Sequence, residues 1–211
     1  FTREYRALAR MDHPNIVRVF EAGVHEGYPW IAMEYVEGCD LGTLLERWEA
    51  APPADRFARV ERILIDLCDA LEHVHAAGVI HRDMKPSNVF LARDSAGATY
   101  VKLLDFGLAK QADVPHGLAR QTRQSIMVGT PEYMSPEQVD GMVDELDERS
   151  DVYSLGGVLF AILTTNSPVS GTSLQEVLDR VRTGQIAPMP MTRIVKGPSG
   201  KYETVIPDAL R

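Results

Sequence analysis

Apolar residues recur at helical spacing in the longest patterned stretch of the chain, which runs from Val60 to Ala77. Its apolar positions, three or four residues apart, are Ile63, Leu67, Leu71 and Val74. This spacing predicts a helix with one buried face, and Gly78 stands where a helix commonly ends. Cys68 lies inside the same stretch and is expected to be a small buried residue.

Four shorter stretches have the same period and are also predicted to be helices. They are residues 1–11, with Phe1, Tyr5 and Leu8 on one face, 41–49 after Asp40, 152–163 after Asp151, and 174–183 between Ser173 and Gly184. Aspartate and serine commonly cap helix N-termini. Ser173 and Glu176 also have the spacing of a capping box.

Two pairs of short stretches are predicted to form strands. Residues 16–22 and 30–36 are rich in β-branched and aromatic residues and are joined through Gly23 and Gly27. Residues 88–92 and 100–104 are predicted to pair around a turn at 95–97. Residues 108–134 form a polar loop, and residues 187–211 are rich in Pro and Gly without a clear period.

Composition limits the classes of protein to consider. The 211 residues are 45% apolar, which is enough for one large domain with its own core. No apolar run approaches the length of a membrane span, and the net charge of −8 argues against a nucleic-acid-binding surface. Cys39 and Cys68 are the only cysteines and belong to no metal or disulfide pattern, so a reduced, cytosolic setting is expected.

A polar loop from His81 to Asn88 lies between the apolar residues of 79–80 and 89–91. Its ionisable side chains would be costly to bury unpaired, so we expect them at a cleft where each has a partner. Asp83, Lys85 and Asn88 supply a carboxylate, a cation and an amide oxygen, and Asp105 follows downstream. Phosphoryl transfer needs a proton acceptor, oxygen ligands for Mg²⁺ and a cation near the phosphate, which these residues can provide.

Four motifs follow one another: HRDMKPSN at 81–88, DFG at 105–107, GTPEYMSPE at 129–137 and RSDVYSLG at 149–156. An isolated Asp-Phe-Gly would be an ordinary strand-to-turn sequence. Together and in this order, the motifs resemble the eukaryotic-type protein kinase family, in its serine/threonine variant and with Met84 in place of Leu. The resemblance implies an α+β, protein-kinase-like bilobal fold. It divides the chain into a partial N-lobe at 1–36, a hinge at 37–40 and an incomplete, mostly helical C-lobe at 41–211.

The resemblance also implies catalytic roles with ATP and Mg²⁺ as cofactors. Asp83 would orient and deprotonate the substrate hydroxyl, and Lys85 would neutralise the γ-phosphate. Asn88 and Asp105 would hold Mg²⁺. Thr130 matches the threonine that hydrogen-bonds the catalytic aspartate and lysine in serine/threonine kinases.

Nucleotide contacts follow from the same resemblance. Met33 would be the gatekeeper, and the backbone from Glu34 to Val36 would hydrogen-bond adenine. Phe90 would lie under adenine, or it is simply a core strand residue. Asp40 would reach the ribose, cap the following helix, or do both.

The resemblance also implies regulatory or structural roles for five residues. Arg82 would receive a phosphate in the activation segment, where Thr122 and Ser125 are the candidate phosphorylation sites. Glu137 would pair with an arginine that lies past the end of this chain, and without that partner a buried acid is destabilising. Asp151 would hold the backbone of the catalytic loop, or it is only a helix N-cap.

The main departure from the family concerns the glycine-rich loop and the strand lysine. Glu4 matches the glutamate that pairs with that lysine, yet no G-x-G-x-x-G occurs, and Lys102 lies on another strand. We expect the chain to be a piece of a longer protein, with both elements upstream, and to be inactive alone. A pseudokinase-like scaffold is the alternative, whereas the GTPEYMSPE segment disfavours a small-molecule kinase.

The expected partners are ATP and protein substrates with serine or threonine hydroxyls, with no nucleic acid and no membrane contact from this segment. The stretches HPNIVRVFEAG and RSDVYSLGGVLFAIL resemble bacterial kinases of this family. A cytoplasmic location is expected, either alone or as the cytoplasmic part of a membrane-anchored protein.

Overall fold

The computed structural model describes residues 9, 11–26, 28–94, 97–106 and 130–188, and the backbone of 193–196 and 202–205. The described strands are β1 Val19–His25, β2 Tyr28–Met33, β3 Gly38–Asp40, β4 Val89–Arg93, β5 Thr99–Leu103, β6 Arg193–Lys196 and β7 Tyr202–Val205. The described α-helices are α1 Leu41–Ala50, α2 Arg56–Ala76, α3 Pro136–Asp140, α4 Glu148–Thr164 and α5 Leu174–Arg182. The helix predicted at 1–11 lies almost wholly outside the described residues.

Helix α1 begins where its sequence predicts, because Asp40 caps it. The Asp40 carboxylate accepts hydrogen bonds from the Thr43 backbone N–H at 2.9 Å and from its hydroxyl at 2.7 Å. Such caps satisfy N–H groups that have no partner within the helix. Leu41, Leu45 and Trp48 then face the core. The capping role predicted for Asp40 is confirmed.

Helix α2 starts earlier than predicted but buries the predicted stripe. Its buried apolar residues are Val60, Ile63, Leu67, Ala70, Leu71 and Val74. Gly78 follows with φ of 72°, the left-handed conformation that glycine adopts without strain. Cys68 is exposed, so the prediction of a buried residue is wrong. Cys68 follows Leu67 in the helix, and successive residues are rotated by about 100° around the helix axis. Its side chain therefore points away from the buried stripe.

Two antiparallel sheets are formed by β1 to β5, and β3 belongs to the hinge itself. In one, β1 pairs with β2, and in the other the strand order is β3-β4-β5. The first strand begins at Val19 rather than at the predicted Ile16, because residues 15–17 pair with the end of β5. The Val17 N–H donates to the Leu103 carbonyl at 3.0 Å, and the Leu103 N–H donates to the Asn15 carbonyl at 2.8 Å. The predicted pairing of the second strand pair is confirmed.

The main core gathers α1, α2, α4 and the β3-β4-β5 sheet around residues such as Leu67, Met84, Leu103 and Ile162. A smaller cluster packs α5 against α3. Ser173 caps α5 by accepting from the Glu176 N–H at 3.2 Å. In a capping box the Glu176 side chain would also accept from the Ser173 N–H. In the structure its carboxylate accepts instead from the Thr172 N–H at 2.7 Å.

Two local features differ from the sequence prediction. Helix α4 begins after Asp147, whose carboxylate accepts from the Arg149 N–H at 2.9 Å. Asp151 is therefore inside the helix, and its alternative assignment as the N-cap is wrong. Strands β6 and β7 form an antiparallel hairpin in the segment from 187 onward, where no regular element was predicted. Within the described residues, no helix is long and apolar enough to span a bilayer.

Candidate active site

A buried carboxylate on α4 holds the start of the loop from His81 to Asn88, which we call the catalytic loop. Asp151 is 1% exposed and accepts hydrogen bonds from the backbone N–H groups of His81 and Arg82, both at 2.8 Å. The ring of His75 on α2 contacts the same carboxylate at 2.7 Å. A carboxylate with three such contacts fixes the entry of the loop relative to both helices. This is the contact that the family resemblance implied for Asp151.

The ring of His81 links the catalytic loop to the strand end before Asp105. The backbone N–H of Asp83 lies 3.2 Å from His81 Nδ1, and the Leu104 carbonyl lies 2.9 Å from Nε2. A backbone N–H can only donate, so Nδ1 accepts and Nε2 carries the proton. Complete burial lowers the pKa of His81, although the nearby Asp151 opposes the shift. The ring is therefore neutral and is part of the support of the loop.

Two backbone positions near the reacting groups are in the left-handed region. Arg82 has φ of 63° and Asp105 has φ of 46°. Residues other than glycine in this region cost about 1–3 kcal/mol each, so the surrounding contacts must hold them. One such contact comes from α3, where the Gln138 side-chain amide donates to the Arg82 carbonyl at 2.7 Å. The oxygen of the same amide accepts from the Ser135 N–H at 2.9 Å.

Asp83, Lys85 and Asn88 meet in one cluster. Lys85 Nζ lies 3.0 Å from Asp83 Oδ2. The side-chain amide of Asn88 donates to Asp83 twice, to the carbonyl at 2.7 Å and to Oδ2 at 3.0 Å. Because the amide nitrogen is used in this way, the side-chain oxygen of Asn88 is the atom that the predicted binding of Mg²⁺ would use. The structure therefore brings together three of the predicted groups.

Asp105 lies next to this cluster. Asn88 Nδ2 is 3.5 Å from the Asp105 carbonyl oxygen, and the Leu104 N–H donates to the Asn88 carbonyl at 2.8 Å. Within the described residues, no three His, Cys, Asp or Glu side chains form a metal cluster. Mg²⁺ is commonly held by one or two protein oxygens together with phosphate oxygens and water. Asn88 and Asp105 carry oxygen atoms of the kind that Mg²⁺ prefers, and their role as its ligands stays a prediction.

An ion pair links Glu34, the residue after β2, to β5. Lys102 Nζ lies 2.5 Å from Glu34 Oε1 and also donates to the Ile16 carbonyl at 3.2 Å. Burial opposes ionisation of Glu34, but hydrogen bonds from Lys102 and from the Arg18 N–H outweigh it and lower the pKa of Glu34. The Glu34 N–H donates to the Arg18 carbonyl at 2.9 Å. Glu34 can thus offer adenine only its carbonyl group.

The other predicted nucleotide contacts lie around this hinge. Met33 ends β2 and is 39% exposed, and Val36, just before the hinge, is half-buried. Phe90 is half-buried on β4, opposite Asp40 on one side and Lys102 on the other. The structure therefore places these side chains around the hinge and the first turn of α1. Their contacts with a nucleotide stay a prediction.

A sequence comparison then decides the family. The family model described as the protein kinase domain matches residues 1–203. The chain belongs to the protein kinase domain family. Its α+β architecture, with small sheets followed by helices, agrees with that assignment.

Three curated relatives of this kinase domain are bacterial serine/threonine-protein kinases. It is 38% identical, over its whole length, to serine/threonine-protein kinase Pkn1 of Myxococcus xanthus, and covers 28% of that protein. It is 42% identical over 82% of its length to pkn3 of the same organism, covering 31% of that protein. Identity to PknB of Mycobacterium leprae is 35% over 97% of the chain and 34% of the relative. The chain thus spans about a third of the length of these relatives.

The structure gives few or no contacts for four predicted residues of the kinase domain. Glu4, Thr122 and Ser125 lie outside the described residues. Thr130 is described and exposed, at the start of the turn Pro131–Tyr133. Its hydrogen bonds to the catalytic aspartate and lysine stay a prediction.

Glu137 has hydrogen-bonding support that the sequence did not reveal. The Ser150 hydroxyl donates to its carboxylate at 2.5 Å. Burial opposes ionisation of Glu137, yet this hydrogen bond contributes to a net lowering of its pKa. The start of α4 thus supplies Glu137 with a donor, while its pairing with an arginine stays a prediction.

Sequence reasoning missed three contributors to the site, namely His75, Lys102 and Gln138. Ser135 and Gln138 have the Ser-x-x-Gln spacing of a capping box, so that signal was present. His75 and Lys102 act on residues 76 and 68 positions away, and nothing local marks them.

Proposed function

We propose that the longer protein containing this kinase domain transfers the γ-phosphoryl group of ATP to serine or threonine hydroxyls of proteins. The observation that carries this proposal is the preformed contact among Asp83, Lys85 and Asn88, on a loop held by Asp151. The names of the relatives and the lysine two residues after Asp83 favour serine and threonine over tyrosine.

Each group then has a defined task. The Asp83 carboxylate would orient the substrate hydroxyl and accept its proton. The Lys85 ammonium, already beside Asp83, would neutralise negative charge on the phosphoryl group. Asn88 and Asp105 would hold Mg²⁺, which supplies electrostatic stabilisation of the phosphate oxygens. Thr130 would hydrogen-bond Asp83 and Lys85.

We also propose where the nucleotide lies. Adenine would bind between Met33 and Phe90, with the Glu34 carbonyl and the Val36 N–H as its backbone partners. Asp40 uses its carboxylate to cap α1, and it would contact the ribose from that position. Glu4 would pair with a lysine upstream of this chain.

A direct assay tests the proposal. The full-length protein, incubated with Mg-ATP and a generic serine/threonine substrate, should transfer phosphate. Asp83→Asn should lower kcat by about a hundredfold to ten-thousandfold, because the proton acceptor is lost. Asp144→Asn, a change of the same type at an exposed position, is the control and should leave kcat unchanged. Equal activity of Asp83→Asn and wild type would overturn the assignment, and a wild type without activity would favour a scaffold.

Regulation and location complete the proposal. Arg82 would bind a phosphate carried by Thr122 or Ser125, and phosphopeptide mapping of the active protein that finds both unmodified would reject this.

The two cysteines are free thiols, which suits the reducing cytoplasm. We place the kinase domain there, alone or as part of a membrane-anchored protein. Fractionation that finds the domain outside the cytoplasmic side would contradict this placement.

A further inference from the structure

A cleft of about 460 Å³ lies between α1, α2 and one face of the β3-β4-β5 sheet. Its floor is a row of register neighbours across the three strands, Cys39, Leu91 and Val101. No residue of the catalytic loop lines it. A concave site of this size with an apolar floor is typical of ligand-binding and recognition sites.

The cleft is basic at its rim, although the whole chain has a net charge of −8. The arginines that line it are Arg47, Arg59, Arg62 and Arg93. They come from α1, α2 and β4, so no single stretch of sequence reveals the patch. The side chains of Arg59 and Arg62 are 52% and 70% exposed, and each makes a single ion pair within its own helix region.

One wall combines an aromatic ring with aliphatic side chains. Trp48 is 4% exposed, and the Arg56 guanidinium lies 5.7 Å from the centre of its ring. Leu44 and Ile63 continue this wall. Trp and Arg around a desolvated apolar centre are the residue types that contribute most to protein–protein recognition.

We propose that this cleft binds a segment of a partner protein in which apolar and acidic side chains alternate. The apolar side chains would cover the floor of Cys39, Leu91 and Val101, and the carboxylates would meet the rim arginines. The arginines are spread along the rim, and two already have partners, which suits several spaced carboxylates better than one phosphate. The carboxylates of Glu37 and Asp66 in the lining and the negative net charge disfavour nucleic acid.

The test measures binding directly and needs no ATP, so it is independent of the proposed transfer reaction. The probe is a fluorescein-labelled peptide of alternating leucine and glutamate, about eight residues long, added to the full-length protein and followed by anisotropy. Arg47→Glu with Arg93→Glu should weaken binding by about tenfold, since two favourable charges become repulsive. Arg149→Glu with Arg180→Glu changes the net charge equally outside the cleft and should leave affinity within about twofold.

A second variant tests the apolar floor without a change in charge. Thr99 lines the cleft on β5 and is exposed, so Thr99→Trp should fill the space and block the peptide while the strand is retained. Circular dichroism verifies that each variant is folded. The proposal is overturned if the control pair weakens binding as much as the rim pair. It is equally overturned if a serine–glutamate peptide, or an oligonucleotide of equal charge, binds as tightly as the leucine–glutamate peptide.

Discussion

The catalytic loop and the β1-β2 hairpin differ in which side chains they bury and which they expose. In the loop, His81, Asn88 and the Asp151 that supports it are 0%, 4% and 1% exposed, and each has several partners. In the hairpin, Phe20 and Tyr28 are 62% and 77% exposed. The loop is polar and buried, whereas the hairpin has apolar side chains in contact with water.

This difference shows where structural specificity is concentrated. The loop is held at once by contacts from α2, α3, α4 and the residue that follows β5. Buried polar groups are costly when they lose a partner, whereas an exposed apolar side chain loses little when it is replaced. Four substitutions or conditions, ordered from the largest to the smallest expected effect, test this contrast.

The largest effect is expected from Asp151→Ala. This change removes the acceptor of two buried backbone N–H groups and the partner of His75, and should lower the free energy of unfolding by about 3 kcal/mol. Urea unfolding of the full-length protein measures it. Asp151→Asn, which keeps one acceptor oxygen, should lose less, and Asp144→Ala is the exposed control. A loss no larger than that of the control would show that the loop does not depend on α4.

The next effect is a pH dependence that arises from His81. Burial lowers its pKa in the folded protein below the unfolded value of about 6.5, so the unfolded state binds the proton more readily. Stability is therefore fully present above about pH 6.5 and falls below it, by up to about 1.4 kcal/mol per pH unit. Unfolding free energies between pH 7 and 5 test this.

A variant isolates the histidine contribution. His81→Gln cannot take up the proton, so its stability should change less over the same interval. Glu34 and Glu137 also have lowered pKa values, but their contribution is lost only as the pH falls toward and below the ordinary glutamate value near 4.5. Parallel curves for wild type and His81→Gln between pH 7 and 5 would contradict the prediction.

A smaller loss is expected from Gln138→Ala, which removes two hydrogen bonds, one to the Arg82 carbonyl and one from the Ser135 N–H. The free energy of unfolding should fall by about 1–2 kcal/mol. Gln138→Glu retains the acceptor but loses the donor to Arg82, so it separates the two contacts. Its stability should lie between those of alanine and wild type, and a variant as stable as wild type would assign no role to the contact with Arg82.

The smallest effect is expected in the hairpin. Tyr28→Thr replaces an exposed aromatic ring with a β-branched residue that suits a strand, and should change stability by no more than about 0.5 kcal/mol. A loss as large as that of Gln138→Ala would mean that the hairpin contributes far more than its exposure indicates.

The sequence predicted the site better than it predicted the ends of the elements. The order of the four motifs identified Asp83, Lys85 and Asn88, and the structure brings them into contact. The strand from Ile16 was placed too early, because residues 15–17 have a strand-like composition but pair with β5. Composition cannot distinguish a hairpin partner from a strand 86 residues away.

Long-range contacts account for the remaining differences. An aspartate before an apolar run has the same appearance as a helix cap, yet the partners of Asp151 are 70 and 69 residues distant. The rim of the cleft is a similar case, because its arginines are scattered over three elements. Only the packing of α1 and α2 on the sheet brings them together.

The ion pair between Lys102 and Glu34 connects the two ends of the proposed nucleotide site. Glu34 follows the gatekeeper position at the adenine end, and Lys102 lies three residues before Asp105 at the phosphate end. A movement of either residue would therefore lengthen the ion pair between them. One buried ammonium group, that of Lys102, thus connects the strand end beside the proposed adenine site with the strand that leads to the proposed metal ligand Asp105.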